Sequence, residues 1–284
     1  MTDTVTSFDG TKLAARRWGE KDGTGVLLAN AIGANDAVWE PLIAKLPARW
    51  NLVTWDYRGL HGSEAGRSGR EGPAVHAEDA LAVAGHFDLE RFTILTWSTG
   101  GRIALELAAE VPSRVGGLVM VCAGYGHPVG RLFRRLEISS ALPLLASVAK
   151  HFPGHIEAPF RRMMGRPEAA GLVRQSGMVG PTADIELLVR HLSGMAACDA
   201  RHLLATYEAV VGDSGEELLS TIESPVSLIA GGADRWTPLA MVRQMSRRMP
   251  RAELKVYDGA THYLPIEFPD ELRADLVAGV GATT

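Results

Sequence analysis

Between Phe92 and Ala109 the hydrophobic period of the chain changes within a few residues, and this limits what it can fold into. Phe92-Thr93-Ile94-Leu95 is a short aromatic and branched run that reads as a buried strand. Arg102 to Ala109 then sets apolar residues at helical spacing. The six residues between them, Thr96-Trp97-Ser98-Thr99-Gly100-Gly101, must turn sharply, with a serine near the middle. A strand-to-helix turn of the G-x-S-x-G kind pushes that hydroxyl out to where a substrate can reach it. The helix start behind it supplies unpaired N–H groups and a positive dipole end. Gly100 is the small residue the turn needs two places after the serine. Thr96, two places before, is a departure, being β-branched and larger than the pattern allows. Gly66-Arg67-Ser68-Gly69 and Gly212-Asp213-Ser214-Gly215 carry similar letters but no strand before them, and read as loops.

The rest of the chain extends the alternation. Val5 to Phe8 and Lys12 to Trp18 flank an Asp9-Gly10 turn signal and predict an antiparallel pair. Gly25 to Asn30, Asn51 to Asp56 and Val115 to Val121 are continuous apolar runs of the kind buried on both faces of a parallel sheet. Helices are expected from Asp36, as N-cap, through Leu46, and from Pro73 to Phe87. Strand–helix alternation predicts an α/β fold with a mostly parallel sheet flanked by helices. The alternation stops near Gly126. From 126 to 222 the chain reads as an inserted helical cap, punctuated by Pro128, Pro143, Pro153, Pro159, Pro167 and Pro181. It resumes with strands at Val226–Gly231 and Glu253–Tyr257 and helices at Leu239–Met249 and Pro269–Val280, so residues 1–125 and 223–284 form the core. Gly281 to Thr284 reads as a frayed tail.

Composition narrows the function classes. Of 284 residues, 46% are hydrophobic, enough to bury a large core. A net charge of -4 argues against a nucleic-acid partner, which would call for a basic domain. Cys122 and Cys198 have neither zinc-type spacing nor a disulfide framework, and fit a reducing, cytoplasmic setting. Met1 to Ser7 lacks the basic and apolar segments of a signal peptide, and Ala141 to Ala146 is too short to cross a bilayer, so no membrane association is expected. In the insert, Leu142, Leu144, Leu145, Phe152, Phe160, Met163, Met164, Met178 and Met195 suit either an apolar pocket or the insert's own small core. Residues 127–176 carry eight Arg or Lys against three Asp or Glu, and 177–222 two against seven. A solvated face paired with its acidic half accounts for this better than a docking face for an acyl-carrier partner or an acidic substrate.

A serine hydroxyl needs a base to take its proton, and the base needs an orienting acid. His262 follows the last strand, and Asp234, in Gly231-Gly232-Ala233-Asp234, follows the strand before it. Both loops lie at the strand ends where α/β sheets build sites. Asp258 reads better as a turn residue with Gly259, and His61 as structural. The order Ser98, Asp234, His262 belongs to one hydrolase architecture and to neither major serine protease type.

These motifs together resemble the α/β-hydrolase fold superfamily over almost the whole chain, in particular its 3-oxoadipate enol-lactonase and carboxylesterase-like members. Leu95 to Cys122 resembles the elbow, Gly231 to Pro238 the acid loop, and Ala260 to Pro269 the histidine loop. The resemblance implies a triad of Ser98, Asp234 and His262, with the Thr99 and Ile32 N–H groups as oxyanion hole. Asn30-Ala31-Ile32-Gly33 stands where many members carry His-Gly. Asn30, Trp97 and Trp236 are candidate substrate contacts, and either tryptophan can equally pack beside the sheet. Asp56 and Arg58, in a variant of the D-x-R-G-x-G-x-S turn, are expected to pin neighbouring loops. The expected activity is cleavage of an ester, lactone or thioester of a small to medium apolar acyl compound, with no cofactor and no metal. Carbon–carbon hydrolysis, perhydrolysis, acyl transfer, or a small-ligand receptor on the same fold are the alternatives.

Overall fold

The apolar runs become the strands of one eight-stranded sheet in a computed structural model that describes residues 2–126 and 162–283. The strands are β1 Thr2–Thr6, β2 Lys12–Gly19, β3 Thr24–Ala29, β4 Trp50–Trp55, β5 Phe92–Trp97, β6 Val115–Val121, β7 Val226–Gly231 and β8 Ala252–Tyr257. Their order is β1-β2-β4-β3-β5-β6-β7-β8. β1 and β2 pair antiparallel, as do β2 and β4, and every other pairing is parallel. Helices α1 Glu40–Ile43, α2 Pro73–His86 and α3 Gly100–Glu110 precede the insert, and α7 Leu239–Arg248, α8 Leu264–Glu267 and α9 Pro269–Gly281 follow it.

Side chains alternate along each strand, so the sheet carries a core on each face. Leu27, Val53, Ile94 and Leu118 pack with α2, α3 and α7. Val26, Leu52, Leu95 and Val119 point the other way, onto Trp39, Leu42 and α9. β4, β5 and β6 are buried at every position, whereas the edge strand β8 alternates. Burial on both faces puts β5 in the interior of the sheet, where the loop at its end is surrounded by those of its neighbours.

Three local expectations are corrected. β1 starts and ends earlier than predicted, because Ser7 to Gly10 are consumed by the turn, with the Gly10 N–H bonded to the Ser7 carbonyl. Asp36 is not an N-cap: Asn35 caps a 3₁₀ turn at Asp36–Val38, while Asp36 pairs with Arg16. Pro41 fits only a first helical turn, so α1 starts anew at Glu40 and stops short of Leu46. The tail is not frayed up to Thr283, whose buried hydroxyl bonds to Thr93 Oγ1 and to the Val280 carbonyl.

Between β6 and β7 the described residues form helices α4 Pro167–Gln175, α5 Ile185–Ala197 and α6 Ala200–Val211, then a 3₁₀ turn at Glu216–Ser220. Asp184 and Asp199 cap α5 and α6 by accepting two N–H groups each. Pro128, Pro143, Pro153, Pro159, Leu142, Leu144, Leu145, Phe152, Phe160 and most of the basic half lie outside the described residues. Among the described residues no helix is long and apolar enough to cross a membrane.

Candidate active site

β5 ends at Trp97, and Ser98 takes a left-handed φ of 57°. A non-glycine residue is strained there, and the surrounding bonds hold it. The Ser98 N–H donates to the Val121 carbonyl at 3.1 Å and its carbonyl accepts from Gly101 N–H at 3.0 Å. Gly100 is required because a Cβ would collide with the Ala29 carbonyl oxygen, where the end of β3 passes under α3. Thr96 fits without disturbing the register, opposite Ala29 in β3 and Met120 in β6. Its buried hydroxyl has no hydrogen-bond partner among the described residues.

The three residues singled out by motif meet at the strand ends. His262 Nε2 lies 2.7 Å from Ser98 Oγ, and His262 Nδ1 lies 2.8 Å from Asp234 Oδ2. The other Asp234 oxygen accepts the Trp236 and Thr237 N–H groups, each at 2.8 Å, so the carboxylate is fixed in direction. Gly231 lets the Asp234 turn approach the carbonyls of Ala260 and Thr261. The His262 carbonyl accepts Trp97 Nε1–H at 2.9 Å, which ties the histidine loop to the end of β5. Asp258 is exposed in its turn.

Two features of this loop system were missed from the sequence. Glu267 is buried and bridges three groups: its Oε2 accepts the Thr261 N–H at 2.8 Å, and its Oε1 accepts Gly180 N–H at 2.7 Å and the Thr261 hydroxyl. Glu267 stands out in sequence only as the acidic residue before Pro269. His191 projects from α5 into the site, with ring centroids 5.6 Å from those of Trp97 and Tyr263. Burial, then the charges of His61 and His262, push its pKa down to about 3, and its Nδ1 has no partner among the described residues. A lone histidine on an amphipathic helix carries no signal that it faces a site.

The loop that follows β3 is built around Asn30. Its Oδ1 accepts Ala31 N–H at 2.9 Å and Trp39 Nε1–H at 3.1 Å, its Nδ2 donates to the Asn35 carbonyl, and its carbonyl accepts the Tyr57 hydroxyl at 2.6 Å. Asn30 is therefore turned inward as a scaffold, which corrects its expectation as a substrate contact. Two residues on, the Ile32 N–H donates to Thr99 Oγ1 at 2.8 Å.

A cavity of about 230 Å³ opens on Ser98, lined by Ile32, Trp97, Met195, Leu203, Trp236 and Tyr263 among others. A smaller one of about 70 Å³, with Arg102, Thr237 and Met241 in its wall, meets it at Ser98, Thr99, Tyr207 and Trp236. Both tryptophans face the larger cavity, while Trp97 is also packed against the histidine loop. Asp56 accepts from Arg16 and the Gly62 N–H, and Arg58 pairs with Asp79 and Asp9. His61 contacts the Gly33 carbonyl at 3.1 Å and the Cys198 thiol. Cys122 Sγ lies within 4.8 Å of Asp234 and His262 ligand atoms, a spacing a metal ion can use. Burial pushes this thiol well above its ordinary pKa, which opposes the thiolate a metal requires, and Asp234 and His262 are already bonded to each other.

The family model described as "Alpha/beta hydrolase family" matches residues 26–275. The chain belongs to this family, and it is a hydrolase. It is 30% identical over 242 residues to a pimeloyl-[acyl-carrier protein] methyl ester esterase of Neisseria meningitidis, covering 84% of this chain and 70% of that one. It is 25% identical over 257 residues to the putative carbamate hydrolase RutD of Agrobacterium fabrum, covering 86% and 88%. The esterase RhEst1 from Rhodococcus sp. ECU1013 superposes with a TM-score of 0.80 at 22% identity, covering 100% of this chain and 99% of that one. The enol-lactonase from Burkholderia xenovorans LB400 does so with a TM-score of 0.73 at 18% identity, covering 98% and 100%.

Proposed function

We propose that this alpha/beta hydrolase is a serine esterase that cleaves a carboxylic ester or lactone with an apolar acyl part through an acyl-enzyme. The observation that carries the reading is the unbroken relay from Ser98 Oγ to His262 Nε2 and from His262 Nδ1 to Asp234, with bonds of 2.7 and 2.8 Å. Ser98 attacks the carbonyl carbon as His262 takes its proton, and the carbonyl oxygen becomes an oxyanion beside Thr99. Collapse of that intermediate expels the alkoxide, which takes the proton back from His262. A water molecule then attacks the acyl-enzyme by the same route and frees the acid. Asp234 holds the imidazole with Nδ1 protonated and stabilises its positive charge.

The esterase and lactonase names among the relatives and structural neighbours support ester chemistry. The 230 Å³ cavity, walled by Ile32, Trp97, Met195, Leu203 and Trp236, supports an apolar, small-molecule substrate. The test is a fluorophosphonate probe with a matched series of ester, lactone and thioester substrates of increasing acyl length. Wild type is expected to be labelled and to show a chain-length optimum, and Ser98→Ala to lose both labelling and cleavage. Labelling that survives in Ser98→Ala, or a flat near-background profile in wild type, overturns the reading.

A further inference from the structure

In a serine esterase the two N–H groups of the oxyanion hole are normally counted as vacant donors awaiting the carbonyl oxygen. Here they are not equivalent. The Thr99 N–H makes no hydrogen bond among the described residues. The Ile32 N–H is occupied by the Thr99 side-chain oxygen, 2.8 Å away. A hydroxyl that accepts through a lone pair keeps its own proton to donate elsewhere. No acceptor for the Thr99 hydroxyl proton is found among the described residues. Thr99 directly follows Ser98, is half-buried, and lines both cavities where they meet at the nucleophile.

We propose that the Thr99 hydroxyl is itself an oxyanion-hole donor, held and polarised by the Ile32 N–H behind it. The inference rests on Ser98 being the nucleophile. When the carbonyl oxygen gains its negative charge, it accepts from the Thr99 N–H and the Thr99 O–H, and the Ile32 N–H acts through Thr99. A donor hydrogen-bonded from behind is a better donor, because the chain of bonds polarises along its length. It also costs less to reorganise, since its oxygen is already fixed before the substrate arrives.

The competing idea is that the hydroxyl only props up the oxyanion loop. The loop has other supports: the Asn30 side chain holds Ala31 and Trp39, Tyr57 holds the Asn30 carbonyl, and the Ala34 N–H closes a turn on the Ala31 carbonyl. Removing one hydroxyl therefore leaves the loop in place. A third idea makes the hydroxyl a plug that must move aside to free Ile32.

Thr99→Val removes the hydroxyl at nearly constant shape and keeps the backbone N–H, and Thr99→Ser restores the hydroxyl. Each purified variant is assayed for kcat and KM on one ester and for inhibition by a boronic acid, whose tetrahedral adduct places an oxygen where the oxyanion forms. Thermal melting verifies that each is folded. Loss of one oxyanion donor costs roughly 10²–10³-fold in kcat. Thr99→Val is expected to lose kcat on that scale with KM within about twofold, and to weaken boronic acid binding in parallel. Thr99→Ser is expected to stay within a few-fold of wild type. An unchanged or raised kcat in Thr99→Val, or a loss of kcat with boronic acid affinity intact, overturns the proposal. Failure of the underlying reading looks different: Ser98→Ala would then retain activity, whatever Thr99 does.

Discussion

Lowering the pH from 7.0 to 5.5 should destabilise this protein through two buried histidines outside the proposed relay. His76, packed 5.1 Å from the Tyr57 ring, and His191 both have pKa values pushed down to about 3, by burial first and then by neighbouring positive charge. In the unfolded chain each titrates near 6.5. A folded-state value below the unfolded one means that the unfolded chain binds the extra proton. Stability is therefore full above about 6.5 and falls as the pH drops from 6.5 toward 3. Over 7.0 to 5.5 each histidine costs about 1.2 kcal/mol and the pair about 2.5 kcal/mol, which lowers Tm by roughly 4 °C in a chain of this size. His61 works in the opposite direction, because its pKa is raised, so the contribution of the pair has to be isolated by difference. The assay is urea unfolding followed by tryptophan fluorescence at both pH values, for wild type and for His76→Phe/His191→Phe. The double variant should lose about 2.5 kcal/mol less than wild type across the window. An equal loss in the two proteins would refute the assignment of these histidines as neutral, proton-excluding groups.

Three further outcomes are expected. Ser98→Gly should abolish ester cleavage yet stabilise the fold by about 1 kcal/mol, because glycine takes the left-handed φ of 57° without strain; melting curves against wild type measure it. Asp234→Asn should keep the fold but lower kcat by roughly 10³–10⁴-fold, since the amide no longer fixes the imidazole tautomer; steady-state kinetics and circular dichroism separate the two effects. Arg58→Met should strand the buried Asp79 carboxylate and cost about 3–5 kcal/mol, read from denaturant midpoints.

What could be read from the letters is what local chain physics controls. The elbow was legible because a strand period, a turn and a helical period follow one another within twenty residues of Phe92. Asp234 and His262 were legible because each begins the loop after a recognisable strand, so fold topology alone brings them together. The Arg58 cluster was half legible: the arginine announced itself, but Ser7, Asp9 and Asp79 come from separate parts of the chain and share no pattern with it. Asn30 misled for a related reason. A polar residue at a strand end next to Ser98 suits a ligand contact, and only the surrounding Trp39, Asn35 and Tyr57 reveal that it is fully engaged. Thr96 shows the reverse case, in which a sequence rule is broken and the strand simply absorbs it.

The Glu267 carboxylate is a shared footing. It grips the Thr261 backbone next to His262 and, with its other oxygen, the Gly180 N–H of the chain between β6 and β7. Asp184 adds a second stitch, from its N–H to the Ile266 carbonyl. The chain entering α5 and the loop that carries His262 are thus bolted to one bracket. Any change that removes the Gly180 bond also loosens the carboxylate that holds Thr261, the residue before His262. A substitution at Gly180 or Glu267, outside both cavities, is thereby connected to the loop that carries His262.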